Sequence, residues 1–248
     1  MGQKLPFQGV LKAAILNFWR HFADKYSNPT PLRSALQSVF VIFGQTDAMS
    51  PFDLYSFGFQ KCLTSWLPAT AAVVLVTFLE GIAASSLVGI AVVGALQLGI
   101  SQFFLLLIRR STSPKMDVLF DGFQSFDRYI QSLLASLLVG FLIMAGCFLL
   151  LVPGIIIGTG LSLTFLILAD HPKIQAIEAM EMSWGLVVKQ GNFWKVLGFQ
   201  LLAIPLLMVG FMMFFIGVFF VMPIYYSALA ALYDDLIGID PLPPSISY

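Results

Sequence analysis

The chain has 248 residues, of which 58% are hydrophobic and 10% charged, against about a quarter charged in a soluble domain, so water is not its main solvent. Thirteen Lys and Arg balance thirteen Asp and Glu; the charge total points to neither nucleic acid nor an acidic ligand, and basic residues inform only by position. Two cysteines, Cys62 and Cys147, give no disulfide framework and no metal-ligand spacing.

Met1 to Val10 carries Lys4 but no compact apolar run with a small-residue cleavage site behind it, so insertion by the first transmembrane helix is expected rather than a removed signal peptide. Residues 5 to 26 set Phe7, Val10, Leu11, Ala14, Ile15, Phe18, Trp19 and Phe22 at helical spacing, with Lys12, Arg20 and Lys25 on other faces. Charge interrupts this amphipathic helix too often for it to span; it lies at the membrane interface, anchored by Trp19, or docks into a partner groove. Asn28-Pro29-Thr30-Pro31 turns the chain into a second helix, from Leu32 to near Gly44. Ser50-Pro51-Phe52-Asp53 starts a third, which runs through Tyr55, Phe59 and Lys61 towards Trp66. Residues 1–60 are thus expected to form N-terminal cytoplasmic or interfacial amphipathic helices.

Residues 61–235 then read as a six-helix transmembrane domain, with hairpins at about 63–108, 128–169 and 193–234 and a short tail over 236–248. From Trp66 to Ile108 the only charge is Glu80, with a turn expected near Gly81 to Gly89. Tyr129 to Ala169 is uncharged and breaks at Pro153-Gly154. Val196 to Tyr233 is uncharged and breaks between Gly210 and Pro223. The three hairpin turns carry no Lys or Arg, whereas the N-terminal region, the loop 109–128 and the loop 170–195 carry them all. The positive-inside rule therefore puts both termini and both long loops in the cytoplasm.

The hairpins resemble one another. Gly58-Phe59-Gln60, Gly122-Phe123-Gln124 and Gly191-Asn192-Phe193 precede them, and outer turns are expected at Gly89, Pro153 and Pro223 at nearly constant spacing, as in a parallel internal repeat. The returning helices carry small residues four apart: Ala91, Ala95 and Gly99; Gly154, Gly158 and Ser162; Ser227 and Ala231. Small residues let helix backbones approach closely in lipid, so helices two, four and six are expected at the centre and the outward helices against lipid.

Candidate chemistry is sparse. Glu80 is the only ionisable residue outside the cytoplasmic segments, and with Gln97 it is the candidate for a transported ion or substrate; near the outer end, an interfacial carboxylate is the favoured reading. Gln97, Gln102, Gln200, Thr159 and Ser162 suit interhelical hydrogen bonds. Asp170-His171-Pro172 reads as a helix stop and a restart near Pro172, followed by Ile174, Ile177, Met180, Trp184 and Val187 at helical spacing. Asp234 and Asp235 have no third ligand near them in sequence. No phosphate-loop, nucleophile-elbow, zinc-protease or dinucleotide fingerprint occurs, so no catalytic, cofactor or metal residue is expected.

Asp117-Val118-Leu119-Phe120-Asp121-Gly122-Phe123, Val152-Pro153-Gly154-Ile155, Ala169-Asp170-His171-Pro172, Ala176 to Trp184, Lys189 to Phe193 and Met222-Pro223-Ile224-Tyr225 together give a pattern over roughly residues 55 to 235. It resembles bacterial polytopic inner-membrane proteins of unknown function, among them the YciC-like proteins and the membrane domain attached to some glycerophosphodiester phosphodiesterases. The resemblance implies a six-helix inner-membrane module without an assigned catalytic residue; phosphodiesterase activity belongs to a soluble domain that this chain lacks. The expected function is a non-enzymatic protein that scaffolds, regulates or assembles a membrane complex, and the alternative is a small-molecule or lipid transporter. Expected partners are the lipid bilayer and membrane proteins or a second copy of the chain, with no nucleic acid.

Overall fold

A computed structural model of the chain describes residues 50–83, 87–110, 114–149, 151–212 and 216–238. The helices expected before Ser50, the side chain of Ala91 and the tail beyond Gly238 lie outside the described residues. The chain divides into Met1–Ala48 and Met49–Tyr248, so the helix begun by Ser50, grouped above with the N-terminal helices, belongs to the second unit. The described elements of that unit are helical: α1 Pro51–Thr64, α2 Trp66–Ala83, α3 Leu87–Arg109, a 3-10 helix Met116–Phe123, α4 Phe126–Leu149, α5 Leu151–Leu161, α6 Thr164–Asp170, α7 Ala176–Trp184 with a π turn Gly185–Lys189, α8 Phe193–Met212 and α9 Ile216–Leu236.

Local signals set several helix ends. At α1 the Ser50 hydroxyl accepts from the Asp53 amide at 3.2 Å and donates to its carboxylate at 2.6 Å, with Pro51 in the first turn. That satisfies donors otherwise left open at a helix start. α7 begins at Ala176, later than the restart expected near Pro172, because its first free amide is capped from another helix: Ala176 N–H donates to Gln131 Oε1 on α4 at 2.8 Å. Its inner face is Ala176, Ala179, Met180, Ser183 and Val187, while Ile177 is exposed.

Two of the three expected outer turns fall inside helices. α2 ends at Ala83 and α3 begins at Leu87, so Gly89 is helical; α8 ends at Met212 and α9 begins at Ile216, so Pro223 lies well within α9. Pro153 is in the first turn of α5, next to the break. An interior proline frees one carbonyl and crowds the preceding turn, yet membrane helices tolerate it where neighbours pack closely, and α8 likewise contains Pro205.

Five helical stretches are long and apolar enough to cross a membrane: Val92–Arg109, Phe126–Phe148, Val152–Asp170, Phe193–Met212 and Gly217–Leu236. α1 and α2, bent by 101° at Ser65, make a sixth if counted as one. Burial sorts the spans into two kinds: the windows on α3, on α5 with α6, and on α9 are 67%, 56% and 61% buried, those on α4 and α8 only 17% and 29%. The second, fourth and sixth of the expected helices therefore hold the core. α3 is apolar nearly all round, with Leu96, Leu98, Ile100, Phe103, Phe104, Leu107 and Ile108 inside, the pattern of a helix wrapped by others. α2, α4, α6, α9 and the 3-10 helix pack around it.

The short elements that precede the hairpins each lie on a buried span. α1 runs along α9, where a Cβ on Gly58 would come 2.7 Å from the Ala228 amide nitrogen. The 3-10 helix runs along α3, where a Cβ on Gly122 would come 2.5 Å from the Ala95 carbonyl and one on Gly99 would strike the Leu119 carbonyl. α7 packs on α5 and α6, where Ser183 Oγ donates to the Gly160 carbonyl at 2.8 Å.

Candidate functional site

Where α3, α6 and α9 end, their last residues meet. Arg109 closes α3, Asp170 closes α6 and Asp234 is in the last turn of α9. The Arg109 guanidinium holds both carboxylates: Nη1 and Nη2 donate to Asp170 at 2.5 and 3.1 Å, and Nε and Nη2 donate to Asp234 at 3.0 and 2.7 Å. Tyr233, 1% exposed, donates its hydroxyl to Asp170 Oδ2 at 3.0 Å, and its ring lies 6.0 Å from the guanidinium carbon. The planar fork of Arg suits such two-sided binding where a Lys ammonium does not. One positive charge thus joins three spans. Asp234 is 1% exposed and would be a costly bare charge without it.

Two further ion pairs flank this clamp. Lys195, at the start of α8 and 1% exposed, pairs with Asp235. Arg128, in the first turn of α4, pairs with Asp121 of the 3-10 helix and donates through Nη2 to Gln102 Oε1 on α3 at 3.0 Å. Each pair ties a less buried span to the core at the end where the basic residues lie. The arrangement binds helix to helix; it brings no nucleophile against a base.

A second polar group lies at the middle of α3. Gln97 Nε2 donates to Glu80 Oε1 on α2 at 2.8 Å, and Tyr226 of α9 reaches the same amide. The two residues singled out for transport are thus in direct contact. Thr159 Oγ1 donates to Gln200 Oε1 between α5 and α8 at 3.0 Å.

The expected packing residues divide. Ala95, Gly99 and Ala231 are buried at helix contacts, and a Cβ on Gly154 would come 2.8 Å from the Cys147 backbone nitrogen. Gly158 is not such a contact, since a Cβ there would meet only the Ile143 side chain at 3.9 Å. Nor does Ser162 continue a stripe: its hydroxyl donates to the Thr159 carbonyl at 2.8 Å and marks the interruption between α5 and α6. Ser227 is fully buried, and its hydroxyl has no partner among the described residues. Gly94 and Gly58, which press on Ser132 and Ala228, are not among the expected packing residues because they lie off the four-residue stripe.

The clamp was also missed. In the sequence Arg109 counts among the basic residues of the loop 109–128, Asp170 as part of a helix stop and Asp234 as an acid without a third ligand. A signal existed: each stands at or near the end of a long apolar stretch, and acids at such ends need a cation.

The fold and this site define a multi-pass, all-helical membrane protein. No protein-family model, no curated protein and no solved structure matches the chain.

Proposed function

We propose that the chain is a non-enzymatic scaffold of a bacterial cytoplasmic membrane that regulates or helps assemble a membrane complex. In this reading it crosses six times, as three hairpins with both termini in the cytoplasm, and α2 is the first outward span. The placement of Arg109, Arg110, Lys115 and Arg128, and of Lys173, Lys189 and Lys195, on one side of the hairpins supports it. So does the way each pre-hairpin element lies on a buried span, as a parallel three-fold repeat would have it. The resemblance to YciC-like inner-membrane proteins stays our reading of residues 55 to 235, without any phosphodiesterase activity.

The observation that carries the scaffold reading is the joined core. Phe103, Phe104, Leu98 and Leu163 fill it and are fully buried, and Arg109 ties the span ends. α7 is held on that core by its small-residue face and turns Ile177, Met182, Glu178 and Glu181 outward, a surface suited to a protein partner. The test is purification from mild detergent beside a Glu178→Lys/Glu181→Lys variant. The same partner should accompany the native chain in every preparation and be lost from the folded variant. A native chain that repeatedly emerges alone contradicts the reading.

The alternative, a small-molecule or lipid transporter, is favoured by one observation, the Glu80–Gln97 hydrogen bond between two helices of the bundle.

A further inference from the structure

The acids of the bundle differ in what neutralises them. Asp121, Asp170, Asp234 and Asp235, all buried or half-buried, are each paired with an Arg or Lys of the chain. Asp127, Glu178 and Glu181 are exposed. Glu80 is half-buried within a helix and its hydrogen-bond partner is the neutral amide of Gln97, whereas half-buried Asp53 sits at a helix start and is engaged by its N-cap Ser50.

Among the described residues, the elements packed on α2 supply no cation either. α3 presents Gln97; α9 presents Tyr226, with Tyr225 behind it; α1 and the 3-10 helix bring no charged group to the carboxyl. A bare carboxylate held at membrane depth costs several kilocalories unless a positive charge meets it. Gln97 engages Oε1 and leaves Oε2 to take that charge.

We propose that Glu80, positioned by Gln97, is a binding site for one small monovalent cation from outside the chain, a proton or an ion of sodium size. This goes beyond the scaffold reading, because it assigns the bundle an ion that it takes up and releases. It rests on the proposed membrane placement of α2. On the same helix, Thr77 and Gly81 line an apolar groove of about 360 Å³ with Val74, Phe78, Ile82 and Phe219. A lipid-soluble reagent can therefore reach α2 within one turn of Glu80, which does not itself line the groove.

The experiment is modification of the native protein in membranes by a hydrophobic carbodiimide, read by peptide mass. The reaction needs a protonated acid: the acid proton goes to one carbodiimide nitrogen, a carboxyl oxygen bonds to the central carbon, and acyl migration to nitrogen leaves a stable adduct. The expected result in sodium-free medium is an adduct at Glu80 that declines as pH rises and is lost in Glu80→Gln. Labelling indifferent to added sodium identifies the proton as occupant; labelling suppressed by sodium identifies the ion. No adduct at Glu80 at any pH overturns the proposal. Modification of Glu80 by a water-soluble carbodiimide in parallel with Glu178 and Glu181 also overturns it, and shows that the membrane placement of α2 has failed.

Discussion

Gly99 and Gly158 have the same standing in the sequence, each on a returning helix four residues from another small residue, but different surroundings in the fold. Gly99 lies under the Leu119 carbonyl of the 3-10 helix, where backbone must move to admit a methyl group; Gly158 faces only a flexible isoleucine end at 3.9 Å. Gly99→Ala should therefore cost about 1–3 kcal/mol by overpacking. Gly158→Ala should be neutral or stabilising by up to about 1 kcal/mol, since Ala is the better helix former. Thermal unfolding midpoints of the two detergent-solubilised variants check the contrast; equal losses would show that spacing alone decides. Spacing found Ala95 and Gly99 but could not tell them from Gly158, because a glycine's worth depends on what the neighbouring helix brings to it. The Glu80–Gln97 pairing was half legible. Both residues stood out as polar groups in apolar runs, but only the fold places them on facing turns.

At the scale of elements, charge-free length located the five long apolar helices, because a bilayer leaves few alternatives to helices of its own thickness. Proline misled at Pro223, since in lipid a close-packed helix can carry it. The interruption between α5 and α6 shows how such breaks are kept satisfied: Ser162, Thr164 and Ser183 hydroxyls donate to the carbonyls of Thr159, Leu161 and Gly160. Two of these donors are local to the break, but Ser183 comes from α7 and could not be foreseen. Burial also ranks the helices by how much substitution they bear. Phe103→Ala on α3, where the side chain is fully buried, should cost about 3–5 kcal/mol. Phe141→Ala on α4, 62% exposed and facing lipid in this reading, should stay within about 0.5 kcal/mol. Unfolding of the two variants in the same detergent checks the ranking; a comparable loss at Phe141 would mean that a further chain covers α4.

At the scale of the whole molecule, the described bundle is held by two kinds of force that act at different places. Apolar packing around α3 and close glycine contacts work along the spans, where lipid offers no hydrophobic drive and only fit distinguishes a neighbour from an acyl chain. Charge works at one end, where Arg109 gathers Asp170 and Asp234 and so sets which spans lie together. The sequence announced that end through its basic residues but could not announce the pairing, because Asp170 and Asp234 lie 61 and 125 residues from Arg109. The account therefore stands or falls on that clamp. Its most direct test is a double-mutant cycle of Arg109→Gln and Asp234→Asn, followed by unfolding of the purified protein. The cycle should give a coupling of about 2–3 kcal/mol, the size seen for groups in one buried network, and losses that add to within about 0.5 kcal/mol would contradict it.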